Sequence, residues 1–389
     1  MKIDSDILAL RPQVVFHRRW LHQYPQIGFQ EEKARDYIIN FLETLNFDEI
    51  KILAKTGVKA VIKGKEGEKT FAFRADMDAL SITEETGLEY SSQHKGFMHA
   101  CGHDGHMAML LGFAQWLSEN KANLKHNVVL LFQPSEETVG GALPMIEEGA
   151  LQDPEVDCIF GYHIMPEVPQ GKIGLLSGPL MASTTEFTID LTGISAHGAM
   201  PHKGVDVILA AAHYITQMQS IISRRIDPFQ QALISIGKIQ GGEARNILAP
   251  NVHMEGIIRT FDEDTSFLIK KYMKDLLKGM EISHGIGGEF KELVYYPPVI
   301  NDQELTDKVK SMVAQEMLHP INPMTIAEDF SYFQQHVPGL FIFLGSRNEE
   351  KGYTHPLHSN QFQFDEGILL TGIQLYKNIL EIYSLFIMA

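Results

Sequence analysis

The sequence predicts an α/β protein: a mostly parallel, helix-covered sheet interrupted by a smaller inserted α+β domain. Three observations carry that expectation. The 389 residues exceed what one hydrophobic core usually serves, so two domains are the natural starting point. Strand-like runs that are apolar on both faces alternate with amphipathic helical runs near both ends of the chain, the pattern of a buried parallel sheet. Between them the order changes to strand, helix, strand, strand, helix, strand, which is the ferredoxin-like unit.

Taken along the chain, Ile7–Leu21 is read as a first helix. Glu31 to Leu45 follows as a second, with Ala34, Tyr37, Ile38, Phe41, Leu42 and Leu45 at helical spacing. Strands are expected at Val58–Ile62 and Thr70–Arg74, then a helix over Gly105–Ser118 and a strand at Val128–Phe132. A helix at Gly141–Glu148 and a strand at Val156–Tyr162 complete this part. From about Thr184 the strands acquire one wet face: Phe187, Ile189 and Leu191 alternate with Thr188 and Asp190. A helix carrying Val207, Ala211, Ile215, Met218 and Ile222 on one side follows, then strands Ala232–Gln240 and Asn251–Arg259, a helix Asp264–His284 and a strand Glu289–Tyr296. Pro297-Pro298 ends the unit. The α/β pattern then resumes with a helix at Asp302–Met317, a short helix near Glu328–Gln335, a strand at Leu340–Leu344 and a helix at Glu366–Phe386. The expected division is 1–182 and 298–389 for the outer domain, with 183–297 inserted.

Composition excludes several classes of function. A formal charge of −16 with no Lys/Arg stripe argues against a nucleic-acid partner. No apolar run approaches the ~20 residues of a membrane span. Cys101 and Cys158 are the only cysteines, so at most one disulfide could form, where a secreted chain of this size often carries several. Acids occupy the opening Met1-Lys2-Ile3-Asp4-Ser5-Asp6, where a signal peptide needs basic and then apolar residues. The expectation is a cytoplasmic protein with a small-molecule partner.

The chemistry concentrates in Met98-His99-Ala100-Cys101-Gly102-His103-Asp104-Gly105-His106, a thiol and three imidazoles within nine residues. Such groups are costly to bury uncompensated, so their density points to a bound cation. In open α/β sheets, ligands collect at the carboxyl ends of strands. Four expected strands lead into reactive side chains: Asp76 and Asp78 after the second, Glu136 and Glu137 after Val128–Phe132, His163 after Cys158–Tyr162, and His355 and His358 after Leu340–Leu344. Cys101 and His103 are two apart, so an extended segment would point both the same way. Thiolate, imidazole and carboxylate together suit a transition metal rather than calcium or magnesium. Two adjacent glutamates allow one to ligate while the other serves as general base and acid. Each feature has a plainer reading. A lone histidine is usually a surface or hydrogen-bonded residue, Cys101 alone could be a small core residue, and the glutamates could be a solvated pair opening a helix. Asp76 reads equally well as structural, and Cys158, inside a strand, reads as core.

The blocks Met98–His106, Gln133–Glu137, Phe160–His163 and His358-Ser359 resemble those of the metal-dependent N-acyl-amino-acid amidohydrolases. That family includes hippurate hydrolases and auxin-conjugate hydrolases, relatives of aminoacylase and the dinuclear carboxypeptidases. The resemblance runs from about His17 to the C-terminal helix. It implies a dinuclear-metallopeptidase-like fold in which Cys101, His103, Glu137, His163 and His358 hold two divalent ions, manganese or zinc foremost and cobalt or nickel as alternatives. It implies Glu136 as the acid/base and Asp78 as a supporting residue behind the ligands. Gly193-Ile194-Ser195-Ala196-His197-Gly198 is similar to the family loop whose histidine, here His197, reaches a dimer partner's active site and stabilises the oxyanion. Asn246 and Arg259 stand where relatives often contact the substrate carboxylate. The inserted domain would then act as lid and homodimer interface. Pro25-Gln26-Ile27 and His358-Ser359-Asn360 depart from the commoner Pro-Glu-Leu and His-Ser-Pro without touching an implied ligand.

The resulting expectation is an enzyme that cleaves an N-acyl-L-amino acid, of hippurate or N-acetyl type, to a carboxylate and a free amino acid. The alternatives on the same fold are a dipeptidase or carboxypeptidase and an N-acetyl-diaminopimelate deacetylase. Two readings of other classes are cysteine catalysis, with Cys101 as nucleophile and His103 or His99 as base, and a catalytically silent binding protein. The first leaves the paired glutamates unexplained, and the second leaves Glu136 without a purpose.

Overall fold

The structure, a computed structural model, describes residues 2–382 and divides into two compact units. In chain order the elements are α1 (Ser5–Ala9), α2 (Arg11–Gln23), α3 (Glu32–Leu42), β1 (Glu49–Leu53), β2 (Gly57–Ile62), β3 (Thr70–Asp76), α4 (His103–Glu119), β4 (Asn127–Gln133), α5 (Ala142–Glu147), β5 (Cys158–Pro169), β6 (Ile173–Gly174), β7 (Gly178–Met181), β8 (Thr184–Thr192), α6 (Val207–Arg225), β9 (Ala232–Gly241), β10 (Asn251–Thr260), α7 (Glu263–His284), β11 (Gly287–Tyr296), β12 (Val299–Asn301), α8 (Gln303–Met312), β13 (Leu318–His319), α9 (Ser331–Gln334), β14 (Gly339–Arg347) and α10 (Gly367–Ile382). Unit 1 takes residues up to Gly178, Ile300–Asn322 and those from Asp329 onward. Unit 2 takes Pro179–Val299 and the short segment Pro323–Glu328, which the sequence had grouped with the outer domain.

Unit 1 is built on an eight-stranded sheet in the order β1-β2-β4-β3-β5-β14-β6-β13. Its centre, β4, β3, β5 and β14, is parallel. The pairs β1/β2, β2/β4 and β14/β6 are antiparallel, so the sheet is mixed at its flanks. β2, β3 and β4 are buried along their whole length: apolar residues such as Phe71–Phe73 and Val128–Phe132 fill their centres, and the polar Lys59, Arg74, Asp76 and Gln133 are buried with hydrogen-bond partners. Helix α4 is buried nearly all round because it is apolar on every face, and it packs against α2, α10 and β3.

Unit 2 is a four-stranded antiparallel sheet, β11-β8-β10-β9, backed by α6 and α7. Phe187, Ile189 and Leu191 point into that core with Val207, Tyr214, Met218, Ile269 and Met273. The order strand, helix, strand, strand, helix, strand is the one the sequence predicts. Side-chain caps define three helix starts: Asp206 accepts from Leu209 N–H, Asp262 from Thr265 N–H and Asp302 from Leu305 N–H.

The expected first helix is two, α1 and α2, the short strands β6, β7, β12 and β13 carry no sequence expectation, and four further elements differ. Strand β1 was not anticipated; it lies at the sheet edge, and half-exposed Ile52 gives it no clear inward face. Helix α8 stops at Met312 rather than Met317, because Val313 turns extended and a 3-10 turn follows at Gln315–Met317. Leu305, Val309, Val313 and Met317 are all buried, so the four-residue spacing persists after the helix has ended. Strand β5 runs on to Pro169, seven residues beyond Tyr162, alongside β14. Helix α10 covers Gly367–Ile382, and positions 383–386 of the expected helix lie outside the described residues.

One buried ion-pair cluster fixes the carboxyl edge of the sheet. Arg74 Nη1 donates to Asp76 Oδ2 at 2.8 Å and Nη2 to Asp329 Oδ1 at 3.1 Å, with all three side chains fully buried. Gln133 Nε2 donates to both Asp329 oxygens, and Ala142 N–H donates to Oδ2, so this acid ties the end of β4 to the start of α5. Removing the guanidinium takes away the cation that both buried carboxylates share. Arg74→Met is expected to cost about 3–5 kcal/mol of unfolding free energy in a denaturant titration. A loss below about 1 kcal/mol would show the cluster to be electrostatically unimportant.

Candidate metal centre

Five of the expected residues meet at the carboxyl edge of the unit 1 sheet. Gly102 takes a left-handed backbone, φ +90°, just ahead of α4, a conformation glycine adopts without Cβ strain. This corrects the expectation that Cys101 and His103 converge by strand alternation. His103 is already the first residue of α4, and the tight turn at Gly102 brings the two side chains together. His103 Nδ1–H donates to the Asp78 backbone carbonyl at 2.9 Å. That leaves Nε2 buried and without a hydrogen-bond partner.

His163 lies inside β5 rather than after its end, paired in parallel register with Phe343 of β14. Its Nδ1–H donates to Ile164 O at 2.8 Å, and Nε2 sits 3.4 Å from Cys101 Sγ. In both histidines the backbone acceptor at Nδ1 orients the ring and turns Nε2 toward the site.

The third block leaves β4 through Pro134 and Ser135, the latter at φ +60°. Glu136 is buried, and the Glu137 N–H donates to Asp78 Oδ2 at 2.9 Å. Glu137 Oε1 has no well-formed hydrogen bond, with His358 Nε2 3.2 Å away and His103 Nε2 3.9 Å away. His358 follows β14, also left-handed at φ +63°, and its N–H donates to Ala100 O at 2.9 Å, which ties it to the Cys101 block. The ligating atoms of Cys101, His103 and His163 all lie within 4.8 Å of one another, and so do those of Cys101, Glu137 and His358. Cys101 is common to both groups. Glu136 joins His103 and Glu137 in a third.

The donor set fits divalent metal ions. Two inward atoms, His103 Nε2 and Glu137 Oε1, are buried without a well-formed hydrogen bond, a cost that a cation would remove. Burial opposes charge on His103, yet the surrounding Asp76, Asp78 and Glu137 carboxylates prevail and lift its pKa to about 10. The pocket therefore draws in positive charge. Burial, with Glu137 and Glu136 nearby, pushes the Cys101 thiol well above its ordinary range. Without a cation it stays protonated, which weakens the thiol-nucleophile reading. Burial holds His163 down at about 3, with a push from His106, so it remains a neutral donor.

Asp76 and His106 support this edge from behind. His106 Nδ1–H donates to Asp76 Oδ1 at 2.6 Å, and its Nε2 accepts from Ile164 N–H at 2.9 Å, which joins β3 to β5 beside His163. Asp104 is buried against Arg18 and His22, at 2.9 and 2.8 Å, and braces the first turn of α4. Sequence reasoning missed the contacts of Asp329 with Arg74, Gln133 and Ala142, and those of Glu31 with Ser135 N–H and the Thr56 hydroxyl, because they join distant segments and carry no local motif.

The remaining predicted residues belong to unit 2. His197 is exposed, with Nδ1 accepting from Ala199 N–H at 3.1 Å. Asn246 is exposed on the facing segment: Gly198 N–H donates to Asn246 O, and Leu248 N–H to Ala196 O. Arg259 stands near the other end of β10, half-buried, with Nη1 unpartnered.

A cysteine–histidine–carboxylate cluster at the carboxyl edge of an α/β sheet, with a spare carboxylate alongside, defines a class of metal-dependent hydrolase. The description "Peptidase family M20/M25/M40" matches residues 72–382, and the chain belongs to that family. Among curated proteins it is 40% identical to the N-acetyldiaminopimelate deacetylase of Bacillus subtilis, over 96% of this chain and 99% of that one. It is 38% identical to the N-acetyl-L-cysteine deacetylase of the same organism, over 96% and 89%. A crystal structure of the Bacillus subtilis protein YXEP, described as a dinuclear metal-binding peptidase of the M20 family, superposes with a TM-score of 0.82 at 34% identity, covering 97% of this chain and 99% of that one. The chain is a metal-dependent amidohydrolase. Among the described residues no helix is long and apolar enough to cross a membrane.

Proposed function

We propose that this amidohydrolase removes the acyl group from small N-acyl-L-amino acids, N-acetylated ones foremost, releasing a carboxylate and the free amino acid. One observation carries the reading: two donor groups share Cys101, and a buried glutamate, Glu136, stands within reach of His103 and Glu137 in addition to those five donors. The deacetylase names of the two curated relatives support an N-acetyl substrate, with diaminopimelate-type and cysteine-type amino acids as the first to try.

Cys101, His103 and His163 would hold one divalent ion, and Cys101, Glu137 and His358 the other, in line with the two-metal neighbour. Manganese and zinc are the first candidates, and cobalt or nickel also suit these donors. Such ions supply Lewis acidity and an activated water at neutral pH. Glu136 takes the proton from the attacking water and passes it to the departing amide nitrogen, which must leave as an amine. Asp78 fixes both neighbours of this exchange, holding His103 through its carbonyl and Glu137 through its carboxylate. In unit 2 we assign His197 to oxyanion stabilisation in a partner subunit of a homodimer, and Asn246 and Arg259 to the substrate carboxylate. These roles rest on the family resemblance. A cytoplasmic location agrees with the cysteine usage.

The test is a panel of N-acetyl- and N-benzoyl-amino acids and dipeptides, assayed on protein stripped of metal and reloaded with each ion separately. The expected result is no turnover when stripped, recovery on reloading, and the highest kcat/KM on an N-acetyl-amino acid. Full activity after chelation would favour the thiol reading, and preference for dipeptides would move the protein to the peptidase branch.

A further inference from the structure

We propose that Glu31 is a positioning residue for Glu136, holding the turn on which that acid/base is mounted. The proposal rests on reading Glu136 as the acid/base. Glu31 carries none of the metal-binding chemistry and lies outside every block that points to the site. Its backbone sits at the start of α3, and its side chain is fully buried. Both carboxylate oxygens are engaged: Oε1 accepts from Ser135 N–H at 2.9 Å and Oε2 from the Thr56 hydroxyl at 2.6 Å.

Ser135 is the residue that most needs such a hold. At φ +60° it occupies a region that costs a residue with a Cβ roughly 1–3 kcal/mol unless its surroundings enforce it. Gly28, three positions before Glu31, closes the mould: a Cβ there would lie 2.4 Å from Thr138 Oγ1 and 2.9 Å from Ser135 Cα. Two carboxylates therefore grip the backbone on either side of Glu136. Glu31 takes the N–H of the residue before it, and Asp78 takes the N–H of the residue after it. The second grip also serves Glu137, an assigned ligand; the first acts on the turn leading into Glu136. Loss of Glu31 is therefore expected to disturb proton transfer more than metal retention.

The experiment compares Glu31→Ala and Glu31→Gln with wild-type protein by kcat, KM and metal content. Hydrogen exchange over residues 134–140 is followed in the metal-free proteins. Glu31→Ala should lose about 100-fold in kcat, the scale of a small misplacement of a catalytic group, with KM within about threefold and metal content unchanged. Its 134–140 segment should exchange faster. Glu31→Gln, which keeps an acceptor for Ser135 N–H and can donate to the Thr56 hydroxyl, should stay within about tenfold of wild type on the same scale. Wild-type kcat and exchange in Glu31→Ala would overturn the proposal. So would a loss that merely tracks metal content, or a Glu31→Gln variant as impaired as Glu31→Ala. If wild-type protein cleaves no N-acyl-amino acid, the proposed function fails, while the exchange measurement still decides whether Glu31 holds the turn.

Discussion

Glu136→Ala is expected to retain its metals and lose turnover. A positioned general acid/base contributes about 10²–10⁴-fold, or roughly 3–5.5 kcal/mol of barrier, and a methyl group supplies none of it. Glu137, His163 and His358 keep their own backbone anchors, at Asp78 Oδ2, Ile164 O and Ala100 O, so the substitution leaves the donor set in place. The signature is a fall in kcat with nearly unchanged KM and metal stoichiometry. A variant with wild-type kcat would transfer the proton-handling role to another group. The same variant tests the shared site. Mixed with His197→Ala subunits, it should regain part of its activity, because each heterodimer would then contain one site with both groups intact. His197 as an oxyanion donor would be worth roughly 3–4 kcal/mol. No recovery in verified heterodimers would place His197 outside the partner's chemistry.

The second large effect is expected at Cys101. Because its sulfur belongs to both donor groups, Cys101→Ala should weaken both metals together, whereas His163→Ala and His358→Ala should each weaken one first. Even the loss of a residue behind a ligand typically costs 10–100-fold in affinity, so removal of a shared ligand should cost at least about 100-fold. Metal content after dialysis against a weak chelator measures this directly. Turnover should fall in parallel and recover partly with excess metal. If Cys101→Ala kept full metal content but lost all activity, the sulfur would be acting as a nucleophile. A variant with unchanged metal content and turnover would remove Cys101 from the centre altogether.

The fold was largely legible because burial patterns are local. β2, β3 and β4 read as buried strands because their centres are apolar on both faces, and β8 reads as half-wet from its alternation. The errors share a cause. At α8 the spacing of buried residues outlived the helix, since a 3-10 turn can present Met317 to the same core. At β5 the strand passed through His163 without interruption, because β14 offers it a parallel partner as far as Pro169. At β1 the strand belongs to a sheet edge, where no strong inward face is required. For the site, residue types and motif spacing gave candidates, the family resemblance narrowed them to five, and the structure brings those five side chains together in unit 1. The mutual support of Asp76 and His106, and the contributions of Glu31 and Asp329, had no comparable signal.

By itself the sequence determined the sheet-and-helix alternation and the insertion's strand order, since each is written in neighbouring residues, and it supplied the candidate donors that the family resemblance narrowed to five. Only the tertiary structure decided which atoms face the centre. His103 and His163 present Nε2 because Asp78 O and Ile164 O occupy Nδ1, and Cys101 joins two groups because Gly102 turns left-handed and Ala100 holds His358. Those outcomes depend on hydrogen bonds between segments far apart in the chain. No periodicity within a segment can specify a partner that folding alone brings into reach.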